Sequence, residues 1–318
     1  MINWLRTFKW TTQLYNLFHK QQLKHNIPLY KHYGINKRYY SSISSEDFKH
    51  LDNPKPPLDV LDSAIELPKI KVFKQLDKQS QEALLGWSQN GYAILDRFFS
   101  SDEVDTFNHE IQNLLDNNKA KWGYGEKIMF AFRQSLPIYQ AATHPKLKQI
   151  FGLLMGNEMQ LFQSINFLKG SQQRAHSDFV HMTTFPQNNL IAAWVALEDV
   201  TADSGPLHYY PSSHSLPHVF NADFDNVGTA FRIGRKTYTD YEDKVQERID
   251  QHQLKKHIFL AKKGDVFIWH ANLLHGGEPM TNPQASRKSM VFHYYSQNAI
   301  CYHEISERPA LIPKHKYS

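Results

Sequence analysis

One cysteine, Cys301, is all the chain contains, so it has no internal disulfide framework and no thiolate cluster for zinc. That fits a reducing compartment, and the cytoplasm is the expected location. No apolar run reaches the roughly 18 residues that a membrane span requires. Acidic residues are missing altogether from the first 45 positions, which carry seven Lys or Arg. Trp4, Phe8, Tyr15 and Phe18 recur there at roughly helical spacing. This basic, amphipathic arm reads as a helix packed on the main domain, as an organelle presequence or as a contact with an anionic surface. Only Arg6 and Arg38 are arginines, and no signal-peptide core with a small-residue cleavage site appears, which argues against a presequence. Over the whole chain 36 basic residues face 31 acidic ones. A net charge of +5 spread over 318 residues does not call for a nucleic-acid partner, and none is expected.

The length allows a sizeable core without staples. Residues 1–75 read as the basic arm followed by a linker, in which Pro54, Pro56, Pro57 and Pro68 predict an extended connector over 52–70. Residues 76–318 read as one domain. A helical pattern runs from about Gln79 to Ser88, and Gly91–Leu95 reads as a short strand. Ser101-Asp102-Glu103 offers an N-cap with acids in the first turn for a helix whose stripe is Val104, Phe107, Ile111, Leu114 and Leu115. Another helix is predicted from Pro145 to Met155, stopped by Gly156, and a strand from Met159 to Phe167. Beyond it, short β-branched or aromatic runs near 175–180, 190–197, 207–210, 258–260, 265–270 and 289–296 are separated by Gly, Pro and Asn turns. Many short strands point to a sandwich or barrel, mainly β with flanking helices. Residues 216–255 interrupt the pattern with a polar stretch and a helix predicted over 238–254. This segment reads as an excursion, a lid over the barrel mouth.

Eighteen histidines make a histidine near a carboxylate unremarkable, so spacing must carry any metal argument. In Arg174-Ala175-His176-Ser177-Asp178-Phe179, His176 and Asp178 stand two apart in a segment that reads as a strand, which turns both to one face. An imidazole and a carboxylate so held are two of the three ligands of the facial triad of non-heme iron oxygenases, or else an ordinary surface pair. In Lys263–Pro279, a Gly-Asp turn launches an apolar strand that leads to His275, and Gly276-Gly277 lets the backbone pass close to a bound group. Twelve residues after His275, Arg287 and Ser289 fall on one face of the next strand. A planar guanidinium pairs bidentately with a carboxylate, which suits Arg287 to the distal carboxylate of 2-oxoglutarate, with Ser289 as a second donor.

From about Gly91 to Ser296 these residues resemble the phytanoyl-CoA dioxygenase family of iron(II)- and 2-oxoglutarate-dependent oxygenases. The resemblance is carried by Asn90-Gly91-Tyr92-Ala93-Ile94-Leu95, His176-Ser177-Asp178, Ala193-Trp194-Val195-Ala196-Leu197-Glu198-Asp199-Val200, Ser204-Gly205-Pro206-Leu207, Pro211-Ser212-Ser213-His214, His275 and Arg287. It implies a double-stranded β-helix, the jelly roll shared with cupins, with Fe(II) held at its mouth by His176, Asp178 and His275. It also implies O2 and 2-oxoglutarate as co-substrates, and hydroxylation of an aliphatic C–H bond of a small molecule or acyl thioester with release of succinate and CO2. Trp194 would lie on a strand lining the co-substrate pocket, and Gln163 would point at the site from its own strand. Two departures stand out: Ser177 where glutamine is more usual, and Ser212 where glycine is common. Halogenating relatives have a small residue in place of the carboxylate, so Asp178 favours hydroxylation.

His270, the rival third ligand, follows an apolar strand and is expected to be structural. His181 is expected in an exposed loop and His214 in a structural turn. His293 alternates in phase with Arg287 and Ser289, facing the barrel interior or filling the core. Substrate selection is expected from 216–255 and from Trp122 to Gln140, where Lys127 and Arg133 meet an anionic group or solvent. Two other readings compete: a cupin-like metal-dependent isomerase or hydrolase without 2-oxoglutarate, against which Arg287 argues, and a non-catalytic binding or scaffold protein.

Overall fold

The computed structural model describes residues 7–121, 123 and 126–317, so Trp4, Arg6 and Trp122 lie outside the described residues. The strands are β1 (Tyr92–Leu95), β2 (Lys127–Met129), β3 (Met159–Phe167), β4 (Thr183–Phe185), β5 (Leu190–Ala196), β6 (Leu207–Tyr209), β7 (His257–Phe259), β8 (Val266–His270), β9 (His275–Gly277), β10 (Ser289–Ser296), β11 (Ile300–His303) and β12 (Arg308–Pro309). They form a six-stranded antiparallel sheet ordered β1-β8-β5-β10-β3-β2, a smaller sheet β7-β6-β9 and a third sheet β12-β11-β4. Two facing antiparallel sheets give the jelly roll that the short, evenly spaced strands predict.

Both faces of the large sheet are covered, so its central strands are apolar throughout rather than alternating. Ile191, Ala193, Val195, Val266, Ile268, Met290 and Phe292 face the helical layer. Ala192, Trp194, Ala196, Phe267, Trp269 and Val291 face the small sheet, where they meet Leu207 and Tyr209. Because strand residues alternate faces, this parity decides which side chains can reach the site between the sheets.

The helical layer includes α2 (Ser101–Asp116) and α3 (Pro145–Met155), while α1 (Lys9–Phe18) and α4 (Tyr238–Gln251) lie outside it. The cap of α2 is Ser100, one residue before the predicted Ser101, and its hydroxyl and the Glu103 carboxylate satisfy each other's backbone N–H groups. Val104, Phe107, Ile111 and Leu114 are buried as the stripe requires. Gly156 ends α3 at φ +66°.

Three expectations are corrected. The 52–70 segment is not extended: Pro57 opens a short helical turn over Pro57–Asp59 and Asp62 caps another over Ser63–Glu66, because proline is accommodated in a first turn. Its Leu58 and Leu67 are buried in the core beside α3. The 175–180 run is no strand either. His176 makes one reciprocal backbone pair with His275, and the chain then turns into a short helix at Asp178–Val180. The Phe179 amide donates to the Ala271 carbonyl at 3.1 Å, and the amides of His181 and Met182 bond to the Asp178 carbonyl. Finally, the excursion over 216–255 contributes nothing to the lining of the main cavity. α4 packs Tyr241, Val245 and Ile249 against Ala175, Val180, Tyr210 and Leu274, behind the chain that carries His176 and Asp178.

Candidate active site

Single-residue strand geometry is enough to aim His176 and Asp178 together. Ser177 between them is extended (φ −108°, ψ 146°), so the two flanking side chains share a face. The Ser177 amide donates to the Tyr241 hydroxyl at 3.1 Å, and the Ser177 hydroxyl lies 3.1 Å from the same oxygen. The small residue at this position thus ties the chain that carries His176 and Asp178 to α4. His275 enters from β9, where it exchanges both backbone hydrogen bonds with His176, each 2.9 Å.

One nitrogen or oxygen from each of His176, Asp178 and His275 lies within 4.8 Å of the others, and all three residues are buried. His176 Nε2 is 3.9 Å and His275 Nε2 3.8 Å from Asp178 Oδ1. Each imidazole turns its other nitrogen to a backbone carbonyl, His176 Nδ1 to Arg174 at 2.9 Å and His275 Nδ1 to Leu273 at 3.0 Å. A carbonyl only accepts, so Nδ1 carries the proton and the Nε2 lone pairs are presented to one another, as metal-binding histidines require. The second carboxylate oxygen is fixed as well. Asp178 Oδ2 accepts from Trp269 Nε1 at 2.7 Å and from His293 Nε2 at 3.2 Å, which leaves Oδ1 to the triad.

The electrostatics agree with a cation site. Burial, reinforced by His275, pushes the His176 imidazole well below its usual range, so it is a neutral donor. Burial alone would raise the Asp178 carboxyl, but His293 and His275 outweigh it and hold the group ionised. A facial set of two imidazoles and one carboxylate is the donor chemistry of a non-heme iron(II) centre with open positions.

The triad opens into a cavity of about 760 Å³ between the sheets. Trp194, Gln163 and Arg287 all line it, together with His293. Arg287 is fully buried; its Nε has no hydrogen-bond partner, and among the described residues no carboxylate pairs with it. Its guanidinium carbon stands 5.7 Å from the Trp194 ring and 5.7 Å from the Phe167 ring. Burial lowers it to about 10, so it stays charged at neutral pH. Glu198 opposes that lowering without pairing directly, and a buried cation with no directly paired carboxylate is costly and marks a place for an anion. Ser289, two residues along β10, is buried with an unpartnered hydroxyl, although it does not line the cavity wall itself.

A family model described as phytanoyl-CoA dioxygenase (PhyH) matches residues 87–289. The chain belongs to the phytanoyl-CoA dioxygenase family. As a member it is a dioxygenase that uses iron and 2-oxoglutarate. It is 19% identical over 237 residues to the peroxisomal phytanoyl-CoA dioxygenase of Bos taurus, a match covering 67% of each chain. It is 26% identical over 216 residues to the ectoine dioxygenase of Sphingopyxis alaskensis, covering 62% of this chain and 70% of that one. Among solved structures, the non-heme alpha-ketoglutarate-dependent carbocyclase SnoK of nogalamycin biosynthesis superposes with a TM-score of 0.60 at 20% identity. That superposition covers 77% of this chain and 96% of SnoK, and it establishes the shared fold.

Within this family member the segments that carry the resemblance meet in space. Gly91, at φ +76°, lies under His214, where a Cβ would come within 2.4 Å of the ring, and Ser212 donates its amide to the Asn90 carbonyl at 3.0 Å. Ser212 takes φ +66°, which explains why glycine suits that position. His214 is structural, its Nε2 3.2 Å from the Ser88 carbonyl. His270 points away from the triad: its Nε2 is 3.3 Å from Asp59 Oδ1, and its Nδ1 accepts the Asn272 amide at 3.1 Å.

A Cβ at Gly276 would meet the Gln173 carbonyl at 2.6 Å, and one at Gly277 the Ser171 hydroxyl at 2.5 Å, so both glycines admit the 171–173 chain, and Gly276 also lines the cavity. His181 is not in an exposed loop; it lines the cavity, 6.1 Å ring to ring from His176, with Nδ1 3.5 Å from His303 Nε2. Lys127 lines the cavity, whereas Arg133 stacks on Phe130 at 3.9 Å and does not. Sequence reasoning missed the third sheet altogether: His303, Arg308 and Leu311 form part of the cavity wall. It also missed Trp269 as the donor to Asp178, although the inward parity of Phe267 and Trp269 on β8 carries that signal.

Proposed function

We propose that the chain hydroxylates an aliphatic C–H bond of a small molecule or acyl thioester in the cavity, converting 2-oxoglutarate and O2 to succinate and CO2. One oxygen atom enters the product as the hydroxyl and the other enters succinate, so the reaction balances without a further reductant. The observation that carries the reading is Arg287, a fully buried and unpaired guanidinium on the same inner face as the triad. A dicarboxylate chelated at the triad supplies the anion this group lacks, and chemistry without 2-oxoglutarate leaves it without a role.

Iron(II), when bound, supplies the redox chemistry that couples oxygen reduction to decarboxylation of the keto acid. Everything else is done by the chain. His176 Nε2, His275 Nε2 and Asp178 Oδ1 hold the metal, while Trp269 and His293 keep the carboxylate from turning. Arg287 would grip the distal carboxylate of 2-oxoglutarate in a bidentate pair. Trp194, Phe167 and Val291 wall this end of the cavity with apolar surface that excludes water, and Gln163 offers an amide to the keto acid or the substrate. Met129, Phe130, Phe162 and Leu311 line the cavity with apolar surface as well, which suits an aliphatic substrate, and Lys127 offers it a cation.

The test is an anaerobic titration of metal-free protein with Fe(II) and then 2-oxoglutarate, following the visible charge-transfer band of the chelated keto acid. The band should appear in the wild type and vanish in Asp178→Ala. Arg287→Ala should keep iron binding but weaken 2-oxoglutarate by about 2 kcal/mol or more, roughly 30-fold. Iron binding with no band in the wild type would reject the 2-oxoglutarate reading and return the cupin-like alternative.

A further inference from the structure

The first helix is packed the wrong way round for a soluble protein. Along α1, Trp10, Leu14, Leu17 and Phe18 recur at i, i+4, i+7 and i+8 and so form one stripe, yet they are 55%, 48%, 42% and 78% exposed. The face turned to the protein is polar: Thr12 and Asn16 are each only 2% exposed. This orientation is held by specific contacts rather than by apolar burial. Lys9 Nζ pairs with Glu307 Oε2 at 2.6 Å, Asn16 Nδ2 donates to the Tyr40 carbonyl at 3.0 Å, and the Lys9 amide donates to the Phe231 carbonyl at 2.9 Å. Phe231, beside the start of the helix, is itself 78% exposed.

The chain that follows the stripe is cationic. Lys20, Lys24 and Lys31 are exposed and form no ion pair among the described residues, and no acidic residue occurs in the sequence before Glu46. Among the described residues the one carboxylate that pairs with α1, Glu307, is neutralised by Lys9. An outward apolar stripe that runs into unpaired lysines has the chemistry of a helix lying in the plane of a bilayer, with aromatic and leucine side chains in the acyl boundary and lysines at the headgroups. Among the described residues no helix is long and apolar enough to cross a membrane, so attachment would be peripheral. We propose that α1 docks the protein on an anionic lipid surface. A second copy of the chain would have to bury three lysines against its own three, whereas anionic headgroups complement them.

The experiment is vesicle co-flotation of the full chain with phosphatidylcholine vesicles, with and without about 30 mol% phosphatidylserine. Wild-type protein should float with the anionic vesicles and be released by salt. Leu14→Glu/Phe18→Glu, which changes only exposed side chains, should weaken flotation about tenfold or more, and Lys20→Glu/Lys24→Glu should weaken it and remove its salt dependence. Thermal melting checks that both variants fold; if the first does not, the lysine pair decides. The proposal is overturned if the wild type stays unbound on anionic vesicles or if Leu14→Glu/Phe18→Glu binds as well as wild type. It is likewise overturned if sedimentation shows a dimer that the same variant dissociates, because the face would then belong to a second copy.

Discussion

Trp269→Phe isolates one hydrogen bond at the centre of the site. The substitution keeps a ring of similar shape beside Phe267 and against His275, whose rings lie 5.8 Å and 4.5 Å from the Trp269 ring. It removes the indole N–H that donates to Asp178 Oδ2 at 2.7 Å. That donor serves a buried carboxylate, and hydrogen bonds to charged groups are worth about 1.5–3 kcal/mol. Only part of this is lost, because His293 still donates to the same oxygen. A carboxylate freed on one side turns more easily, and Oδ1 is then no longer fixed toward the two imidazoles. The expected result is a 10- to 100-fold weaker affinity for Fe(II), the range typical of losing an outer-sphere partner. Isothermal titration with Fe(II) or with Mn(II) as a redox-silent substitute measures it, and 2-oxoglutarate affinity at saturating metal should stay within about threefold because Arg287 is untouched. Combining it with His293→Leu should cost more than the sum of the two single changes, since each donor covers for the other. Metal affinity within about twofold of wild type in Trp269→Phe would refute the idea that the indole orients the carboxylate.

Other outcomes follow from the same contacts. His270→Ala should leave metal binding intact but lower stability by about 1–3 kcal/mol, because it removes one partner of the mostly buried Asp59 carboxylate and leaves Asn188 as the other; denaturant unfolding measures the loss. His275→Ala should do the reverse, losing metal with a modest change in stability, so the pair distinguishes ligand from scaffold. Ser212→Gly relieves a left-handed residue whose side chain is exposed and should raise the melting midpoint by about 1–2 °C, while Gly91→Ala, which drives a Cβ into His214, should lower it by more.

How much of this was legible in the sequence depends on how local the determining physics is. His176 and Asp178 could be paired because an extended Ser177 alone puts its neighbours on one face, even though the predicted strand shrank to a single bridge. Arg287 could be read because its chemistry demands an anion wherever it is buried. The large sheet was legible because strands covered on both faces are apolar throughout. The third sheet was not: β11 finds its partner β4 more than a hundred residues earlier, and nothing in Arg308-Pro309-Ala310 announces that it walls a cavity. His181 was misjudged for the same reason, since its burial depends on His303 arriving from that sheet. For α4, a helix over 238–254 is legible in the sequence but not what it packs against, which is the back of the chain that carries His176 and Asp178. Of the prolines of 52–70, Pro57 and Pro68 sit in first turns, where proline is tolerated, so their presence does not make the segment extended.

The reciprocal bond pair between His176 and His275 has a consequence for how such a protein can diversify. The separation of the two imidazoles is inherited from main-chain pairing, which any sequence in that register reproduces, and only Asp178 relies on neighbouring side chains for its aim. Part of the cavity wall, by contrast, comes from β2, β3 and the late-arriving β11–β12 segment, none of which supplies a member of the triad. Selection can therefore rewrite what the cavity admits, residue by residue, while the reactive centre is passed on unchanged.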